Sequence, residues 1–147
     1  MSKNRNTMLK GKSKEFSRGL GKLSLNEEAI EKSKNKFVVS FKDLDRNQGQ
    51  TFEDWNEDGL LVKMLNTLRE YCQKTMQENK SDKFKVYGYF PPKYNFKHPK
   101  HIPEDANWAC LHITGKNCIA GHVIENIFYV VFLDKNHEFW ITEKKHT

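Results

Sequence analysis

The stretch WACLHITGKNCIAGHVIENIFYVVFLDKNHEFWIT, Trp108 to Thr142, constrains the fold more than any other part of the chain. Its β-branched and aromatic runs break at Thr114-Gly115-Lys116-Asn117, at Glu125-Asn126 and at Asp134-Lys135-Asn136. Each break holds a Gly or Asn that tolerates left-handed backbone angles in a tight hairpin. The pattern predicts one antiparallel meander of four short strands. Ile127 to Leu133 is too continuously apolar and aromatic for a strand with one wet face, so both faces of the sheet should be largely covered. A helix is expected on one face, and a ligand, partner or loop on the other.

The residues upstream supply that cover. Lys36 to Phe41, KFVVSF, reads as a first strand. Thr51-Phe52-Glu53-Asp54 carries a capping signal for the short helix FEDWNED, which Gly59 separates from a longer one. From Leu60 to Met76 the residues Leu60, Leu61, Met64, Leu65, Leu68, Tyr71, Cys72 and Met76 recur at spacings of three and four, one stripe of a helix. Phe84 to Phe90 reads as a strand or edge segment that Pro91-Pro92 stops. Lys93 to Ala106, with Pro99 and Pro103 and no period, reads as an ordered loop packed across the sheet. The fold class is therefore α+β: a strand, two helices, then an antiparallel four-stranded meander packed on the helices.

Residues 36–147 form a single domain of this kind, and residues 1–35 read as a basic, largely disordered arm with a short helix over 24–33 opened by Ser24-Leu25-Asn26-Glu27. Of the formal charge of +6, the arm holds +5, nine Lys/Arg against four acidic residues, and the body +1, sixteen against fifteen. Such an arm binds nucleic acid or an acidic protein through the same electrostatics, or is simply a solvated leader. No apolar run reaches the roughly 18 residues that span a bilayer, and no apolar block follows the basic start, so a cytoplasmic protein with no membrane partner is expected. Three cysteines without framework spacing fit reduced thiols.

Two groups of residues bear on chemistry. Lysines 80, 83, 85, 93, 97 and 100 alternate with Tyr87, Tyr89, Phe90, Tyr94, Phe96, His98 and His101. Lysine heads track phosphates while rings stack on unpaired bases, the pairing that single-stranded nucleic acid asks for; rings in a core and lysines on a wet face give the same pattern. If every hairpin loop is even, Leu111, Ile113, Cys118, Ala120, His122, Tyr129, Val131, Leu133, Trp140 and Thr142 share one face of the sheet. Trp108, Cys110, His112, Ile119, Val123, Phe128, Val130, Phe132, Phe139 and Ile141 share the other, more apolar face, which is given to the helix. His122 then stands opposite Tyr129 on an accessible wall, placed for acid/base work near neutral pH or as a hydrogen-bonded structural histidine. His137, at the last turn, lies at the rim. Zinc ligation by Cys110, His112, Cys118 and His122 is disfavoured because this register turns the first pair away from the second. No metal or cofactor is expected.

In the order KFVVSF, TFEDWNED, LLVKMLNTLREYCQKTM and a meander ending FYVVFLDKNHEFWI, the chain resembles the RelE/ParE toxin family over residues 36–142. That resemblance implies a small basic messenger-RNA nuclease, acting generally on the ribosome and neutralised by an antitoxin. The chain departs from many members in having no arginine after Arg69 and in its long loop and basic leader. The expected activity is metal-independent cleavage of single-stranded or messenger RNA. His122 or His137 would take the proton of a ribose 2′-hydroxyl, Tyr129 would hold or polarise the phosphate, and Lys116 or a loop lysine would stabilise the developing charge. Lys93, Lys97, Lys100 and His101 would contact the strand, with Trp140 as a stacking platform. The rival expectation is a non-catalytic module from a mobile element that holds a nucleic acid or protein.

Overall fold

The computed structural model describes residues 26–30, 35–92 and 95–141. The rest of the arm, Lys93, Tyr94, Thr142 and the last five residues lie outside the described residues. Internal contacts divide the chain between Asn35 and Lys36. Residues 26–30, on the N-terminal side of that boundary, are helical. Among the described residues no helix is long and apolar enough to cross a membrane.

From Lys36 the chain is α+β. It runs β1 (Val38–Ser40), α1 (Phe52–Glu57), α2 (Leu61–Tyr71), α3 (Met76–Asn79), β2 (Phe84–Val86), β3 (Trp108–Thr114), β4 (Asn117–Ile124) and β5 (Ile127–Asp134). The strands form one mixed sheet in the order β1-β5-β4-β3-β2, with β1 parallel to β5 and the other neighbours antiparallel. This corrects the expected four-stranded meander: β3 to β5 form a three-stranded one, and β2 and β1 extend it at either edge. The stretch after Asp134 does not become the fourth strand. The Asp134 carboxylate accepts from the backbone N–H of Glu138 and of Phe139, each at 2.8 Å, and His137 takes a left-handed φ of 58°. Those donors are spent on a turn, so they cannot pair with β5, and Phe139 is delivered to the interior instead.

The helices follow local signals. Thr51 caps α1 in a full capping box with Asp54, and Gly59 leaves it at a φ of 71°. A second box, Thr75 with Glu78, starts α3, so the stripe through Met76 belongs to two helices rather than one. Leu60, Met64 and Leu68 bury the α2 stripe, while Leu65 stays half exposed. They pack with Phe37, Trp55, Phe84, Ala109, Leu111, Ile119, Phe128, Val130 and Leu133 on one side of the sheet. Each such side chain contributes about 1.5–3 kcal/mol of burial.

The other side is filled by the chain itself. Phe96, Ile102 and Ala106 of the long loop, with Phe139, cover Trp108, Cys110, Ala120, Val131 and Phe132. The expected faces are therefore partly exchanged, and two bulges are the cause. The β3–β4 pairing opens as Thr114 with Asn117 but has slipped by one residue at His112 with Cys118, which moves Leu111 to the helix side and Trp108, Cys110 and His112 to the loop side. The β4–β5 pairing slips again between Ala120 and Gly121, sending Phe132 to the loop side and Leu133 to the helix side. Gly121 permits the second slip: a Cβ there would run into the Tyr129 carbonyl oxygen and lie 3.0 Å from the Val130 Cα.

Candidate functional site

His122 and Tyr129 are cross-strand partners, as the sequence arithmetic predicts, and their rings stack at 4.8 Å and 12°. The expected accessible wall is absent, however. His122 keeps the expected side of the sheet, away from the helices, but is only 3% exposed, with Tyr129 stacked on it, Trp108 at 6.3 Å and the Asp43 side chain against its Nε2. Its Nε2 hydrogen-bonds the Asp43 carboxylate at 3.0 Å. Lys42 pairs with the other Asp43 oxygen, also at 3.0 Å, and sits 5.0 Å over the Tyr129 ring. Burial raises the Asp43 carboxyl, but the His122 and Lys42 hydrogen bonds and charges outweigh it and hold that carboxyl below its ordinary range. The loop is pinned to the same segment: His101 Nε2 meets the Asp43 carbonyl at 2.7 Å, and the Gln48 amide makes two bonds with the Lys97 backbone, at 2.6 and 2.8 Å. This cluster ties loop, β1 exit and sheet together, and its geometry is that of a buried structural link.

His137, at the opposite end of the sheet, has a partner that the sequence reading left mostly to structure. The β3 slip turns His112 to the loop side, and the left-handed turn after Asp134 brings His137 beside it, with Nε2 to Nε2 at 3.4 Å and ring centroids 4.9 Å apart. Both rings are half-buried. His112 lines an open cleft of about 320 Å³ with Asp82, Lys83, Ile113, Thr114 and Gly115. Lys116 is exposed in the turn that follows Gly115. Burial first, then the charge of His137, lowers the basicity of His112; the Gly115 backbone hydrogen bond opposes them, and Lys85 and Asp134 add smaller effects of opposite sign. His112 is thus biased toward its neutral form. Repeat spacing could not have found this pair, because the two residues are 25 positions apart and meet only through a bulge and a positive φ.

Trp140, three residues beyond His137, stacks flat on Tyr87 at 3.5 Å, with Tyr89 edge-on at 5.4 Å. Tyr89 is 57% exposed, and the Tyr87 amide bonds the Trp108 carbonyl at 2.7 Å, so this aromatic surface is anchored at the start of β3. Lys97, Lys100 and His101 are exposed on the long loop. Tyr129 stands with His122 and not with His137, so the expected catalytic set divides between the two ends of the sheet.

Cys110, His112, Cys118 and His122 all belong to the loop side, so the alternation argument against a metal does not hold as it was framed. Among the described residues, even so, no group of three His, Cys, Asp or Glu side chains is placed to hold a metal ion. The Cys118 thiol is kept protonated by its hydrogen bond with Cys110, by burial and by Asp134. Comparison with known proteins gives no match to a family model, a curated protein or a solved structure.

Proposed function

We propose that the chain is a metal-independent endoribonuclease of the toxin type, cleaving single-stranded or messenger RNA at the His112–His137 pair. The observation that carries the reading is the juxtaposition of two half-buried imidazoles at 3.4 Å, one of which lines an open cleft with Lys83. RNA transesterification needs a base and an acid of pKa near the working pH, and two imidazoles sharing one proton supply both. Neutral His112 takes the proton of a ribose 2′-hydroxyl, and that oxygen attacks the adjacent phosphorus to form a cyclic phosphate. The bond to the 5′-oxygen breaks, and that oxygen leaves with the proton of His137. Lys83 and Lys116 face the charge that grows on the phosphate, and the Tyr87–Trp140 stack with Tyr89 holds a base further along the strand. The strand, helices and antiparallel hairpins in this order support a toxin of the RelE/ParE kind, for which a ribosome and an acidic antitoxin are the partners to seek.

The test is cleavage of an unstructured RNA in the presence of a chelator. His112→Ala and His137→Ala should each slow cleavage by about a hundredfold or more. Cleavage that is unchanged in both variants refutes the mechanism. The burial of His122 favours the rival module, which predicts stoichiometric RNA or protein binding with no cleavage by the unmodified chain.

A further inference from the structure

A second cleft, of about 450 Å³, lies where the chain leaves β1 and enters α1. It falls within the size range of small-ligand sites and shares no lining residue with the cleft of His112. Its walls are of three chemical kinds. Phe41 and Phe52, in edge contact at 5.4 Å and 86°, supply the aromatic part, with Leu44 beside them. Lys42 and Arg46 supply positive charge, and Asp45 and Glu53 supply carboxylates.

The charges are not all spent internally. Lys42 is tied to Asp43, and Asp45 accepts from the Asn47 backbone and the Gln48 amide. Arg46 and Glu53 are exposed and form no ion pair among the described residues. A guanidinium free to receive an anion, ring walls that accept a flat apolar face and a carboxylate free to accept N–H donors together describe a ligand with those three complements. A base that offers adjacent ring N–H and amino donors satisfies a carboxylate, and guanine does so where adenine cannot. A phosphate satisfies Arg46.

We infer that this cleft binds a guanosine phosphate unit, with its base against Phe41 and Phe52, its donor edge on Glu53 and its phosphate on Arg46. The unit comes either as a free mononucleotide or as one residue of an RNA strand. The inference does not depend on RNA cleavage, since the cleft shares no residue with the histidine pair.

The full chain is titrated by calorimetry with GMP, AMP and inorganic phosphate, and separately with short unstructured RNAs that contain one guanosine or none. GMP should bind about tenfold more tightly than AMP, and inorganic phosphate more weakly than either. Arg46→Glu should weaken GMP about tenfold or more, and Glu53→Gln should erase the preference over AMP. Both residues are exposed, so circular dichroism should show both variants folded. GMP binding marks the free nucleotide as the source, and guanosine-dependent RNA binding without GMP binding marks the strand. Equal binding of GMP and AMP, GMP binding unaffected by Arg46→Glu, or no guanosine-dependent binding in either arm overturns the inference.

Discussion

Replacing Asp43 with Ala separates a structural role for His122 from a catalytic one. The Asp43 carboxylate accepts from His122 Nε2 at 3.0 Å, and the two side chains are 14% and 4% exposed. Removing it leaves a buried imidazole nitrogen without its partner. That costs about 1–3 kcal/mol for a neutral ring, and about 3–5 kcal/mol where the ring is charged. The Lys42 contribution is small, at most about 1 kcal/mol, because that side chain is 66% exposed and screened by water. The variant should therefore unfold at lower urea, with a loss of about 2–4 kcal/mol at neutral pH. The pH dependence has a definite sign. The folded carboxyl titrates below its ordinary range, so the native state favours the ionised form. Its contribution is complete above the unfolded pKa and is lost as pH falls through the lower folded value. The gap between wild type and Asp43→Ala should narrow as pH falls below about 4. A gap under about 0.5 kcal/mol at neutral pH, which is the scatter of ordinary surface substitutions, would show that the link does not hold the fold. A gap that widens below about pH 4 would show that the carboxylate is not the group responsible.

Two further outcomes follow from the packing. Gly121→Ala should destabilise by about 4 kcal/mol or more, because its Cβ meets the Tyr129 carbonyl and the paired strands must part; urea unfolding near wild type would disprove the close approach. Burial, and after it the thiols of Cys110 and Cys118 and the hydroxyl of Tyr89, push the Tyr87 phenol up to about 12. Its folded pKa is raised, so its contribution to stability is whole below about pH 10 and is lost as pH rises toward the folded value. Tyr87→Phe should remove the latest step of the phenolate absorbance titration, and a late step that persists in that variant would assign it elsewhere.

Local signals made much of this architecture legible. The Thr51 capping box, the α2 stripe, the hairpin breaks at Gly115 and Glu125 and the pairing of His122 with Tyr129 all follow from interactions between residues close in sequence or joined by one tight turn. The turn at Glu125-Asn126 is where it was expected, although Glu125 rather than Asn126 takes the left-handed angle, φ 56°. Asp134 was read as part of a turn, but its capture of the Glu138 and Phe139 amides, which ends the sheet at β5, was not.

The sequence by itself determined that an apolar, β-rich meander must be covered on both faces, since its hydrophobic run leaves no side to water. Which residues share a face was decided only in the folded molecule. Side chains alternate with a period of two, so a one-residue slip reverses every assignment beyond it, and two such slips occur here without any mark in the hydrophobic pattern. The exchange brought His112 to His137, a pairing that depends on long-range register and that no periodicity in the chain encodes.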